Sequence, residues 1–192
     1  MLGILPTTID INGKKYAIRT DFRDILRVVA AFSDTTLTDR EHYYVLMTNI
    51  YKDWQSIPRE YAVEAYEKAV EFMECSAKED APSPRVVNWE KDEQLIFPAI
   101  NKVAGFEVRS AEYIHWWTFL GYFQGIDRED TWGYILTLRQ KKAKHKKLEK
   151  HEKEFWLANR SICEIDPPKQ MSETTGNALN DIFNDLLKGG AE

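Results

Sequence analysis

Clustered carboxylates are the side chains of this sequence best suited to acid–base chemistry. Asp127, Glu129 and Asp130 stand close together, and Glu90 and Asp92 form a second group. Both groups stand where a helix is predicted to begin, and carboxylates there are accounted for by capping and by the positive end of the helix dipole. No nucleophile or phosphate-loop motif accompanies them. We therefore predict that the protein is not an enzyme.

Histidine and cysteine could instead ligate a metal ion, but their spacing does not support one. His145 and His151 are six residues apart, which does not place them on one helical face, and His42 has no second ligand at a useful spacing. Cys75 and Cys163 are far apart in the sequence, and we expect both to be reduced structural residues. The sequence therefore predicts neither a metal site nor a cofactor.

The most distinctive segment is the aromatic run YIHWWTFLGYF at residues 113–123. His115 beside two tryptophans could belong to a ligand site or a catalytic site. However, the run is apolar around most of a helix predicted from Ser110 to Gln124, which favours burial between neighbouring elements. We therefore expect His115 to be satisfied by a hydrogen bond. The predicted core positions are Trp116, Trp117, Phe119 and Trp132.

A basic arm follows the aromatic run. Residues 139–160 contain nine Lys or Arg against three Glu, a net charge of +6 that leaves −11 for the rest of the chain. A solvated helical face is one interpretation, and attraction to an acidic partner, or to the acidic body of a second copy, is another. Nucleic acid is disfavoured because lysine dominates over arginine and no aromatic platform is interleaved with the lysines. The candidate partner-binding lysines are Lys141, Lys144 and Lys147.

The remaining pattern predicts a mostly α-helical single domain over residues 1–165 with a short N-terminal β-hairpin. The hairpin is predicted at residues 8–19, where apolar and polar side chains alternate around Asn12-Gly13, a pair preferred in type I′ turns. Helical periodicity then covers residues 21–160, apart from a loop at residues 77–88.

Local signals place several helix ends. Asp21 and the pair Thr38 and Glu41 are predicted helix starts. Further helices are predicted from Asn88 to Val103, with Gly105 as the stop, and from near Asp127. The inward faces of the first two helices are predicted to include Phe32 and Tyr44.

Residues 166–192 are predicted to form a polar linker followed by a short amphipathic helix. The helix is a candidate partner-binding element because its apolar side chains share one face. The alternative is that it folds back onto its own domain as a terminal helix. The candidate binding residues are Leu179, Ile182, Phe183 and Leu186.

The order of features between Asp92 and Arg139 resembles the gene-product-fifteen type of siphophage tail assembly proteins. The matching pieces are DEQLIFPAI at residues 92–100, GFEV at residues 105–108, IHWW at residues 114–117 and ILTLR at residues 135–139, before the lysine-rich arm. The HWW block is the most specific of these. The resemblance extends over residues 8–165.

This resemblance implies a tail assembly chaperone that holds the tape-measure protein in soluble form and assists tail-tube polymerisation. The partners it implies are therefore the tape-measure protein and the tail-tube protein. A structural tail or connector subunit retained in the virion is the alternative, and a homo-oligomer stays open. We expect the protein to reside in the cytoplasm of the bacterial host and to be absent from the mature virion. No membrane association is expected, since no stretch approaches the roughly 20 apolar residues of a membrane span.

Overall fold

A computed structural model describes residues 3–34, 36–75 and 86–165. The chain begins with the predicted hairpin, in which β1 (Thr8–Ile11) pairs antiparallel with β2 (Lys14–Ala17). Asn12 and Gly13 have φ angles of 46° and 78°, as a type I′ turn requires at both central positions. The hairpin prediction is confirmed.

Eight α-helices follow within the described residues, and the predicted mostly α class with an N-terminal hairpin is confirmed. The predicted C-terminal helix lies outside the described residues. The helices are α1 (Phe22–Ser33), α2 (Asp39–Ile50), α3 (Ala62–Met73), α4 (Glu93–Ala104), α5 (Trp116–Gln124), α6 (Thr131–Ala143), α7 (Lys150–Ala158) and α8 (Arg160–Cys163).

The contacts of the described residues divide this fold into two compact units. The first unit contains the residues up to 75 together with His115–Trp117. The second contains residues 86–114 and 118–165. Helix α5 contributes residues to both units, and the predicted aromatic run is therefore shared between them.

In the first unit, α1, α2 and α3 pack with the hairpin, and local capping fixes where the first two helices begin. The Asp21 carboxylate accepts a hydrogen bond from the Arg23 backbone N–H at 2.9 Å. Thr38 and Glu41 form a reciprocal capping box at the start of α2. Both predicted helix starts are confirmed.

Two predicted inward positions of this unit are wrong. Phe32 is 41% exposed and stacks on His42, with ring centroids 5.0 Å apart. Tyr44 is 57% exposed and meets the edge of Trp54. Tyr44 is outside the core because its neighbour Tyr43 lies on the buried face of α2. Phe32 lies in the last turn of α1, beyond the last buried position, Val28.

In the second unit, two helices begin later than predicted. Helix α4 begins at Glu93 because residues 88–92 form a turn, in which the Asn88 backbone N–H donates to the Asp92 carboxylate at 2.9 Å. Helix α6 begins at Thr131 because Asp127 forms its own turn with the Glu129 N–H at 2.9 Å. The stop at Gly105 is confirmed, with a φ angle of 80°.

Gly133, in the first turn of α6, allows this turn to pack closely against the helix. A Cβ atom on Gly133 would lie 2.0 Å from the Asp127 carbonyl oxygen and 2.9 Å from the Arg128 Cα. Both of these are backbone atoms, which cannot move aside as a flexible side chain can. Gly121 in α5 is the opposite case, because a Cβ atom there would meet nothing within 4 Å.

The same substitution should therefore have opposite effects at these two glycines. Gly133→Ala should lower the free energy of unfolding by about 1–3 kcal/mol through overpacking. Gly121→Ala should raise it by up to about 1 kcal/mol through helix propensity. Urea denaturation followed by circular dichroism measures both, and equal effects at the two positions would contradict the close approach at Gly133.

Candidate functional site

The aromatic run does not form one helix as predicted, because α5 begins only at Trp116. Val108–Ser110 form a short 3-10 turn, and His115 forms an isolated β-bridge with Asp21. The Trp116 backbone N–H donates to the Thr20 carbonyl at 2.7 Å. A long-range backbone pairing therefore replaces the first turns of the predicted helix.

His115 is a structural residue at the start of α5. Its Nδ1 accepts a hydrogen bond from the Trp117 backbone N–H at 3.1 Å, which satisfies one of the free N–H groups at the helix start. Its Nε2 lies 3.0 Å from the Pro6 carbonyl oxygen. With the side chain buried and both ring nitrogens engaged, no nitrogen is available for a ligand or for catalysis.

The two tryptophans of the HWW block bind the end of α3. The Trp116 and Trp117 indole N–H groups donate to the carbonyls of Met73 and Phe72, each at 2.8 Å. Carbonyls in the last turn of a helix lack partners within the helix. The Trp116 indole satisfies the Met73 carbonyl, and the Trp117 indole shares the Phe72 carbonyl with the Cys75 backbone N–H. Trp116 is buried, whereas Trp117 is half-buried. The other two predicted core positions, Phe119 and Trp132, are buried.

Separate substitutions should distinguish ring packing from this capping. Trp116→Ala should lower the free energy of unfolding by about 3–5 kcal/mol, because a buried ring and a carbonyl partner are both lost. Trp117→Phe keeps most of the ring and removes the indole donor, so it should cost about 1 kcal/mol. Chemical denaturation measures both values, and hydrogen exchange at the end of α3 should increase in each variant. A Trp116→Ala variant of unchanged stability would contradict the packing role.

A buried ion pair between Asp92 and Arg139 lies at the centre of the second unit. Each side chain is only 2% exposed. Arg139 Nη1 and Nη2 donate to the two carboxylate oxygens of Asp92 at 2.6 and 2.8 Å, in the bidentate geometry of strong Arg–carboxylate pairs. The sequence around Asp92 predicts only helix capping, because no local pattern indicates a partner 47 residues away.

Arg139 also binds three backbone carbonyls. Its guanidinium donates to Cys163 and Val86 at 3.1 Å each and to Ile162 at 2.6 Å. The Cys163 and Ile162 carbonyls belong to the short helix α8, where Arg139 acts as a cap. The carboxylate of Asp92 is fully used in this network, so it is not available as a general acid or base.

Removal of either member should destabilise the fold strongly. Asp92→Ala and Arg139→Met should each lower the free energy of unfolding by about 3–5 kcal/mol, because each leaves buried polar groups unpaired. The double variant should cost less than the sum of the two, since no lone buried charge then remains.

The exposed pair between Arg160 and Glu164 is the matched control for this prediction. Its side chains are 70% and 43% exposed and meet at 2.7 Å. Glu164→Ala should therefore cost less than about 1 kcal/mol. Thermal or urea unfolding measures all four variants. If Asp92→Ala were no more harmful than Glu164→Ala, the buried pair would not be the centre of this unit.

The basic arm is shaped by the way α6 ends. His145 has a φ angle of 53°, in the left-handed region. The His145 N–H donates to the Lys142 carbonyl at 2.9 Å, and the Lys146 N–H donates to the Lys141 carbonyl at 2.8 Å. These two bonds form a Schellman motif, which ends the helix and redirects the chain.

An ion pair then joins the two helices of the arm. The Lys141 ammonium on α6 donates to the Glu152 carboxylate on α7. This hydrogen bond raises the pKa of Lys141 and lowers the pKa of Glu152, so both groups stay charged near neutral pH. Lys141 therefore holds α7 against α6, and its charge is already matched.

A cavity of about 480 Å³ lies beside this arm, and we call it the lysine groove. Trp156 and Leu148 are its buried apolar residues, whereas Leu157 is 72% exposed. The Lys142 ammonium lies 4.2 Å from the centre of the Trp156 ring. The residues that line the groove are Lys142, His145, Lys146, Lys147, Leu148, Lys153, Trp156 and Leu157.

The structure separates the three predicted partner-binding lysines. Lys147 lines the groove, Lys141 is paired with Glu152, and Lys144 is exposed outside the lining. Trp156 of α7 lies beside these lysines, but its ring is buried and is covered by the Lys142 ammonium, so it is not an exposed stacking platform. The remaining candidates, Leu179, Ile182, Phe183 and Leu186, lie outside the described residues. Sequence reasoning did not assign Trp156 or Leu157 to a binding site.

The described ranges contain no evidence of a metal site, a membrane-spanning helix or a reactive thiol. Within residues 3–34, 36–75 and 86–165, no group of three or more His, Cys, Asp or Glu side chains is arranged to hold a metal ion. None of the helices in these ranges has the length and apolar character needed to cross a membrane. Burial raises the pKa of both cysteine thiols, which disfavours reactive thiolates.

Comparison with known protein families identifies the family of this chain. A family model described as bacteriophage Gp15 protein matches residues 2–163. The chain belongs to the bacteriophage Gp15 family. Its members are phage structural or morphogenesis proteins, and the match extends over the HWW block, the Asp92–Arg139 pair and the lysine groove. Searches among curated proteins and among solved structures gave no match.

Proposed function

We propose that this Gp15 protein is a tail assembly chaperone that binds the tape-measure protein and assists tail-tube polymerisation. Membership of a family of phage structural or morphogenesis proteins is the observation that supports the proposal. The resemblance of the HWW block and its flanking segments to siphophage tail assembly proteins supports the chaperone role in particular. In this proposal, the protein acts in the host cytoplasm and does not remain in the mature virion.

The mechanism we propose is recognition of a helix in a groove. A tape-measure protein is a very long helical chain, and a segment with an apolar stripe needs cover until the tube surrounds it. The lysine groove offers apolar contact through Trp156 and Leu157. Leu157 is 72% exposed and can therefore meet a partner without rearrangement of the core.

Co-expression with fragments of the tape-measure protein of the same phage tests this function. We expect at least one fragment to become soluble and to co-purify with the full chain. Leu157→Ser should reduce the co-purified amount severalfold, because exposed apolar contact is lost without disturbing the fold. Val63→Ser is the matched control, since Val63 is an exposed apolar residue of α3, outside the groove, with 42% exposure.

Two outcomes would overturn the chaperone assignment. In one, no tape-measure fragment becomes soluble or co-purifies with the chain. In the other, mass spectrometry of purified virions finds the protein in stoichiometric amounts, as a structural tail or connector subunit requires. A chaperone should be absent from those particles.

A further inference from the structure

We propose that the lysine groove is a docking site for an acidic amphipathic helix of a partner protein. The partner's apolar stripe would contact Trp156 and Leu157, and its carboxylates would pair with the surrounding lysines. This proposal rests on the proposed function only for the identity of the natural partner, and the chemistry of recognition follows from the groove itself.

The charge of the groove is unbalanced. Four of its eight lining residues are lysines, and none is a carboxylate. Among the described residues, the four lysines have no carboxylate partner within ion-pair distance, whereas the neighbouring Lys141 is paired with Glu152. Four like charges around one cavity repel one another, so an anionic ligand gains free energy by binding there.

The lysines approach the cavity from two different segments. Lys142, Lys146 and Lys147 come from the end of α6 and the following turn, and Lys153 comes from α7. Apolar residues of α7, including Trp156 and Leu157, line the same cavity. An amphipathic helix with acidic side chains beside its apolar stripe can meet both kinds of lining residue.

The dimensions suit a short helical segment. Helix α7 has nine residues, which corresponds to a length of about 13 Å. A partner helix lying along it would present about two to three turns, with apolar residues at intervals of three and four. A cavity of about 480 Å³ accommodates several side chains of such a stripe.

The same features favour a peptide over nucleic acid. Single-stranded nucleic acid needs a whole aromatic face on which a base can stack, but Trp156 is only 8% exposed and Lys142 lies over its ring. An apolar side chain needs only the part of Trp156 that lines the groove, beside the exposed Leu157. No arginine lines the groove, although arginine is the residue over-represented where phosphate or base edges are bound in bidentate geometry. The exposed Leu157 contributes apolar area that a phosphate backbone cannot use.

Binding of synthetic peptides to the full chain tests the proposal. The first probe is an 18-residue helical peptide with a leucine stripe and glutamates elsewhere. The second replaces each glutamate by lysine, and the third scrambles the acidic sequence so that the stripe is lost. We expect fluorescence anisotropy to show binding of the first peptide alone, with weaker affinity at about 200 mM than at about 50 mM salt.

Charge reversal locates the binding site. The K147E/K153E variant should weaken binding of the acidic peptide by at least about tenfold, because two pairs become repulsive. It should also gain affinity for the lysine peptide. The K144E/K150E variant is the matched control, with the same change in net charge at arm lysines outside the lining, and should change affinity by less than about threefold.

Several results would overturn the proposal. These are absence of binding at about 50 mM salt, equal binding of the scrambled peptide, equal effects of the two variants, or tighter binding of duplex DNA through the same lysines. Circular dichroism of each variant is the control measurement for an intact fold. Because the peptides are synthetic, their failure rejects the groove assignment alone, whereas failure of tape-measure co-expression with intact peptide binding rejects the chaperone role alone.

Discussion

The buried ion pair between Asp92 and Arg139 is the constraint on which the second unit depends. Two charges that are 2% exposed must satisfy each other and their remaining donors and acceptors, so the surrounding backbone has little freedom. Arg139 meets this requirement by binding Asp92 and the carbonyls at the end of α8. A helix of four residues is not stable alone, because ordering the backbone of the first turn costs more free energy than its single hydrogen bond contributes. The ion pair therefore fixes α8 and, through the chain, the helix α7 that lines the lysine groove.

In the first unit, neutral side chains form the corresponding hydrogen bonds to helix ends. Indole N–H groups of Trp116 and Trp117 satisfy the last carbonyls of α3, and the His115 ring satisfies an N–H at the start of α5. In both units, a side chain from a distant part of the sequence donates hydrogen bonds to carbonyls at a helix end. This explains why the aromatic run, the most distinctive feature of the sequence, belongs to the scaffold. The residues that we propose for partner binding lie instead on the surface of the basic arm.

The proposed function combines the family assignment with the surface of the basic arm. Gp15 proteins are phage structural or morphogenesis proteins, and such a role requires recognition of other chains. In the arm, Lys141 is engaged with Glu152 and stabilises the helix pair, whereas the lysines around Trp156 line the groove that we propose as the binding site. The physical distinction between a solvated charged face and a binding site is therefore the apolar surface beside the charges. A groove that combines both can select a helix by its stripe and by the sign of its charge.

Features that depend on neighbouring residues were determined by the sequence itself. The Asn12-Gly13 turn, the caps at Asp21 and at Thr38 with Glu41, and the stop at Gly105 all follow from backbone preferences and hydrogen bonds within a few residues. Only the tertiary structure decided where α5 begins, because the competing β-bridge joins His115 to Asp21. It also decided that Asp92 pairs with Arg139 and that Trp156 lies beneath Lys142. These contacts join residues far apart in the chain, and their free energy comes from burial and charge pairing that exist only once the helices have packed.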